Sequence, residues 1–231
     1  MTAISANLQA IHDRIRRAAQ AAQRAADEIV LLAVSKTIPA GRIAQAHAAG
    51  QRAFGENTAQ EAVEKITQLA DLRPAPEWHF IGPVQSNKTT PIAARFSWVH
   101  SVERAKIAER LNAARPEGLP PLNVCIQVNV SGEASKSGVA PGEEAALADI
   151  ISRLPRLKLR GLMTIPEPTS DAALQRRRFA RLRELKEGLV ARGVALDTLS
   201  MGMSDDFEAA IAEGATIVRV GTAIFGPREK H

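Results

Sequence analysis

The chain has 231 residues, 45% of them hydrophobic, with one cysteine and a formal net charge of +5. That length supplies a large core and suits one α/β barrel better than two domains, while the lone Cys125, inside the apolar run LNVCIQVNV, excludes an internal disulfide and fits a reducing compartment. No basic-then-apolar signal pattern opens the sequence and no apolar run nears the about 20 residues of a membrane span, so a soluble, cytoplasmic protein is expected.

From the N-terminus, Ile4, Leu8, Ile11 and Ile15 recur at helical spacing, which predicts an amphipathic helix over residues 3–26. The stretch IVLLAVSKTIP follows. Its apolar residues from Ile29 to Val34 suit a strand covered on both faces. Side chains alternate along a strand, so Lys36 shares the face of Leu32 and Val34 and its ammonium points where core residues point. A lysine snorkelling from the strand end and a reactive amine both fit this stretch. Apolar runs at 52–55, 78–81, 97–100, 122–130, 157–164, 197–201 and 216–220 predict seven further strands. Helical patterns fall at 40–49, 58–71, 86–94, 103–114, 142–153, 171–192 and 205–213. Eight strands separated by seven helices is the order of a single (β/α)8 TIM barrel with an additional N-terminal helix, one domain over residues 1–231. A doubly wound open sheet shares that order.

The irregular piece NVSGEASKSGVAPGE after the fifth strand predicts a loop that could act as a flap. Near the C-terminal third, RRRFARLRELK is the densest basic stretch, yet Phe179, Leu182, Leu185 and Leu189 recur there at helical spacing. The arginines are then the solvated side of a helix. Six Phe, two Trp and no Tyr offer little for stacking bases, which argues against a nucleic-acid role.

In a barrel the C-terminal strand ends form one rim, where residues remote in sequence meet. Lys36, Asn57 of FGEN, and the strand ends LSMGMSDD and VRVGTAIFG fall on it. Gly202 and Gly221 permit close backbone approach, and Ser200, Ser204 and Thr222 supply hydroxyls, where barrels most often hold phosphate. The competing reading is ordinary helix capping, with Asp205 and Glu208 as the start of the next helix. Arg219 shares a face with Ile217 and Gly221, so its guanidinium enters the interior and needs a partner, either a carboxylate or a cofactor ring nitrogen. Lysine, interior arginine and phosphate cradle on one rim point to pyridoxal 5'-phosphate.

Taken in order, LLAVSKTIP, FGEN, WHFIGPVQSNK, SGEASKSG, GLMTIP, LSMGMSDDFEAAI and VRVGTAIFG resemble the pyridoxal-phosphate-binding proteins of the YggS/PROSC type, related in fold to the barrel domain of alanine racemase. The resemblance implies a Schiff base on Lys36, phosphate contacts from Ser200, Ser204, Gly221 and Thr222, Arg219 near the pyridine nitrogen, and Asn57 and Met163 lining the cofactor. It also implies a role in vitamin B6 and amino-acid homeostasis without established enzymatic activity. Related racemases use a tyrosine from a second domain as a base, and this chain contains no tyrosine. A cation beside the pyridine nitrogen also weakens the ring as an electron sink.

His79 and His100 lie near strand ends, but without metal-ligand spacing they read as structural, and no metal is expected. Lys88 reads as a surface lysine; Lys136, on the glycine-flanked loop, could accept or pass on the aldehyde. The leading expectation is a monomeric pyridoxal phosphate carrier serving acceptor apoenzymes. A pyridoxal phosphate enzyme and a cofactor-free Schiff-base barrel enzyme remain in competition with it.

Overall fold

In a computed structural model describing residues 2–133 and 137–227, eight parallel strands close into a barrel in sequence order. They are β1 Val30–Val34, β2 Ala53–Glu56, β3 Glu77–Phe80, β4 Trp98–Val102, β5 Leu122–Gln127, β6 Leu157–Met163, β7 Thr198–Ser200 and β8 Ile217–Val220. Closure rests on β1 pairing with both neighbours, Ala33 opposite Phe54 on one side and Leu32 opposite Arg219 on the other. The open-sheet alternative is thereby excluded.

Helices α1 Ala3–Ala21, α2 Ala40–Ala48, α3 Ala59–Gln68, α4 Thr89–Arg95, α5 Ala105–Ala114, α6 Glu144–Ile151, α7 Ala172–Ala191, α8 Phe207–Ala212 and α9 Thr222–Phe225 wrap the barrel. Period-two alternation divides each strand between two cores. Leu31, Ala33, Phe54, Phe80, Val99, Val218 and Val220 face the helices, while Leu32, Ala53, Ile81, Trp98, Cys125, Met163 and Ile217 pack inside. Helix α1 starts where Thr2 accepts from the Ser5 amide at 3.2 Å and buries Ile4, Leu8, Ile11 and Ile15, as its stripe predicts. It lies on α8 and α9, with Asn7 Nδ2 donating to the Ile224 carbonyl at 2.9 Å and Arg14 Nη2 to the Ser204 carbonyl at 3.1 Å.

The structure departs from the sequence reading in several places, among them the opening helix, which ends at Ala21 rather than at residue 26. The helix expected at 86–94 divides into a 3-10 turn, Ser86–Lys88, and α4. The strand expected to run to 130 ends at Gln127, after which Val128 forms only an isolated bridge to Val139. And α9, four residues long, is too short to leave a periodic signal.

Candidate functional site

At the end of β1, Lys36 and Thr37 form the corner of a turn closed by the Ile38 amide on the Ser35 carbonyl at 3.0 Å. Thr37 has φ of 63°, a conformation costing a β-branched residue about 1–3 kcal/mol. A hydrogen-bonded network, buried at Ser35, Glu56 and Lys65, holds it there. The Thr37 amide donates to Glu61 Oε1 at 2.6 Å, and Lys65 Nζ donates to the Ser35 carbonyl at 2.7 Å. Lys65 also meets Glu56 Oε1 at 3.0 Å, and Ser35 Oγ donates to the same oxygen at 2.6 Å. Burial raises the pKa of Glu56, with Lys65 opposing. The turn carrying Lys36 is thus braced from behind by groups that point away from the barrel mouth.

Lys36 opens onto a cavity of about 360 Å³, a size suited to a small ligand. Val34, Ile81 and Ile165 give it apolar walls; Lys36, Asn57, Ser204, Asp205, Arg219 and Thr222 supply polar groups, beside Met203 and Gly221. Asn57, Ile81 and Ile165 also line an adjoining space of about 210 Å³ reaching Gln127 and Ser137. An outer groove of about 370 Å³ between α1, α7 and α8 contains Arg14 and Arg176, but these pair with Glu208 and Glu213. The barrel mouth joins a strand-end amine to a buried cation.

Arg219 is 3% exposed. Its Nη1 donates to both the carbonyl and Oγ of Ser200 at 2.7 Å, and Nη2 to the Thr164 carbonyl at 2.7 Å. Burial pulls its pKa down to about 10, with the Asp206 charge opposing. It therefore stays a cation at neutral pH, bonded to neutral acceptors.

Close backbone approaches shape the rim. A Cβ on Gly82 would lie 2.0 Å from the Asn57 carbonyl, so only glycine lets the loop after β3 press Asn57 into position. Gly202 has φ of 92°, and an added Cβ would meet Ala210 Cβ at 2.6 Å. Asp206, rather than Asp205, folds back at the start of α8, its Oδ1 accepting from the Met203 amide at 2.6 Å. Asp205 instead lines the cavity, as do Val34, Ile81, Ile165 and Met203, which sequence reasoning did not single out.

Of the eight residues expected at the site, Lys36, Asn57, Ser204, Arg219, Gly221 and Thr222 surround this one cavity. Met163 and Ser200 are fully buried and outside its lining, Met163 in the inner core and Ser200 bonded to Arg219 and His100. In the loop after β5, Gly138 donates to Glu103 Oε2 at 2.9 Å; Lys136 lies outside the described residues. Among the described residues no cluster of His, Cys, Asp or Glu is placed to hold a metal, and no helix is long and apolar enough to cross a membrane.

The alanine racemase N-terminal domain family matches residues 6–229. The chain belongs to that family. Within the alanine racemase N-terminal domain family it is 62% identical to a pyridoxal phosphate homeostasis protein of Pseudomonas aeruginosa over 229 residues, 99% of this chain and 97% of the relative. It is 52% identical to the protein of the same name from Escherichia coli, over 99% of this chain and 98% of the relative. The PipY structure from Synechococcus elongatus, solved with pyridoxal phosphate bound, is 37% identical, covers 96% of this chain and all of PipY, and superposes with a TM-score of 0.84.

Proposed function

We propose that this chain, as a single barrel domain, binds pyridoxal 5'-phosphate at the barrel mouth through a Schiff base on Lys36 and acts in vitamin B6 and amino-acid homeostasis rather than as a catalyst. The observation that carries this reading is the meeting of Lys36, Arg219, Ser204, Gly221 and Thr222 on one cavity. The names of the relatives and the ligand of PipY support it. The residues fit such a group. Asn57 Oδ1 is a buried acceptor without a protein partner at the cavity edge, and Gly221 keeps the wall thin, since a Cβ there would sit 3.1 Å from the Val34 carbonyl.

When bound, pyridoxal phosphate supplies an aldehyde that condenses with amines. Lys36 Nζ provides the amine, and its braced turn keeps it over the barrel mouth. Ser204 and Thr222 hydroxyls would hold the phosphate, and Arg219 the ring nitrogen. A guanidinium that stays charged at neutral pH disfavours protonation of that nitrogen, and the chain has no tyrosine to act as an opposing base. Both features favour holding the cofactor over turning it on amino acids. A closed barrel leaves no sheet edge to pair, which supports a monomer; a cytoplasmic location and delivery of the cargo to acceptor apoenzymes complete the proposal.

The test is an absorbance spectrum of the protein with pyridoxal phosphate, then borohydride reduction and mass analysis. The expected result is a yellow protein with the label on Lys36, and a colourless, unlabelled Lys36→Ala variant. Labelling elsewhere, or deuterium exchange at Cα of an added amino acid, would reverse the reading.

A further inference from the structure

Polar groups that the cofactor reading leaves unused form, together with Arg219, one hydrogen-bonded line through the barrel. It begins at Glu77, the first residue of β3, half exposed at the barrel end opposite the cavity. Glu77 Oε1 lies 2.6 Å from His79 Nε2, and His79 Nδ1 lies 2.9 Å from His100 Nε2. His100 Nδ1 lies 2.7 Å from Ser200 Oγ, and the same hydroxyl is 2.7 Å from Arg219 Nη1 at the cavity wall. Four strands, β3, β4, β7 and β8, contribute in turn.

With Glu77 ionised, one placement of protons satisfies every link. The hydrogen bond from His79 lowers the pKa of Glu77, and burial lowers the pKa of both histidines, so the carboxylate is charged and the rings are neutral. A neutral imidazole has one donor and one acceptor. His79 therefore donates from Nε2 to Glu77 and accepts at Nδ1. His100 must then donate from Nε2 and accept at Nδ1, and Ser200 must give its hydroxyl proton to His100. That leaves the Ser200 oxygen to accept from Arg219. All four bonds run the same way, from a cation at the cavity to a carboxylate at the far end, and aligned bonds of this kind strengthen one another. Two core histidines that merely satisfied each other could face either way; the carboxylate selects the direction.

We propose that Glu77 is a positioning residue for the site: through His79, His100 and Ser200 it fixes the proton arrangement that holds the Arg219 guanidinium for the ring nitrogen of the cofactor. The ring-nitrogen role rests on the function proposed above, whereas the proton arrangement belongs to the protein alone.

Long-range proton–nitrogen NMR of histidine-labelled, ligand-free protein reads the tautomers directly. His79 and His100 should both carry the proton on Nε2. In Glu77→Ala, and in His79→Phe, which keeps a ring against Trp98 where His79 stacks at 5.4 Å, His100 should become a mixture of tautomers. Affinity for pyridoxal phosphate should then fall about five-fold, the scale of one hydrogen bond, while an analogue with carbon in place of the ring nitrogen binds as before. A proton on Nδ1 of His100 in the unmodified protein, an unchanged His100 in both variants, or equal loss of both ligands overturns the proposal. Failure of the unmodified protein to bind either ligand overturns the cofactor reading and the ring-nitrogen role with it, while the tautomers still decide whether the line exists.

Discussion

Acidification from about pH 7.5 to about pH 5.5 should weaken the fold through His100. The residue is fully buried, and its pKa sits well below 6.5 because burial first, then repulsion from His79 whenever that ring is protonated and from the Arg219 cation, disfavour protonation. The unfolded chain takes up a proton at this histidine as the pH drops through 6.5, and the folded chain does not. Stability is therefore full above that value and is lost progressively below it. A histidine that stays neutral throughout contributes a loss of about 1.4 kcal/mol over this interval, and His79, whose lowered pKa Glu77 opposes, adds up to the same again. With a urea dependence of about 3 kcal/mol/M, His100 alone moves the unfolding midpoint by about 0.5 M. Urea titrations followed by Trp78 and Trp98 fluorescence, without added cofactor, compare the wild type with His100→Gln at both pH values. Glu56, whose raised pKa gives the opposite slope, and His12 titrate in both proteins and cancel in the difference. The variant should lose about 1.4 kcal/mol less than the wild type; equal losses would refute the assignment.

The network behind Lys36 makes a second prediction. Lys65→Met strands the Glu56 carboxylate in the core at a cost of about 3–5 kcal/mol, and because a raised carboxyl pKa favours the folded state as pH falls, the Tm gap to the wild type should narrow between pH 8 and pH 5. A gap independent of pH would contradict it. Gly202→Ala should cost about 2–4 kcal/mol by calorimetry, from a left-handed φ plus overlap with Ala210; an unchanged Tm would show that α8 gives way freely. The Cys125 thiol, fully buried with its pKa pushed up to about 12, should react with a thiol reagent at pH 8 only as fast as the protein unfolds. Rapid labelling in native buffer would disprove that.

Much of the site was legible because period-two alternation is a strong constraint. Lys36 follows Leu32 and Val34, and Arg219 follows Ile217, so each had to face inward once the barrel closed. Depth along the strand left no such trace. Ser200 and Met163 sit on the expected strands but are fully buried outside the cavity lining; a one-residue step alters height by ~3.3 Å while leaving composition unchanged. The histidine line was invisible for a related reason: Glu77, His79, His100 and Ser200 meet through inter-strand register, shifted by an irregularity between Val99 and Val102. Gly82 was missed because nothing local announces that its partner is the Asn57 backbone.

The clasp between Asn7 and Ile224 joins residues 217 apart, and the barrel seam joins the first strand to the last. During synthesis the lysine strand leaves the ribosome well before the segment bearing Arg219 and Thr222. A nascent chain thus carries Lys36 before the residues across the cavity exist, and on the function proposed above vitamin capture awaits the last strand. Such distant pairing also slows assembly. If Lys36 is the residue that takes the aldehyde, as proposed above, selectivity for it arrives only with the closing seam.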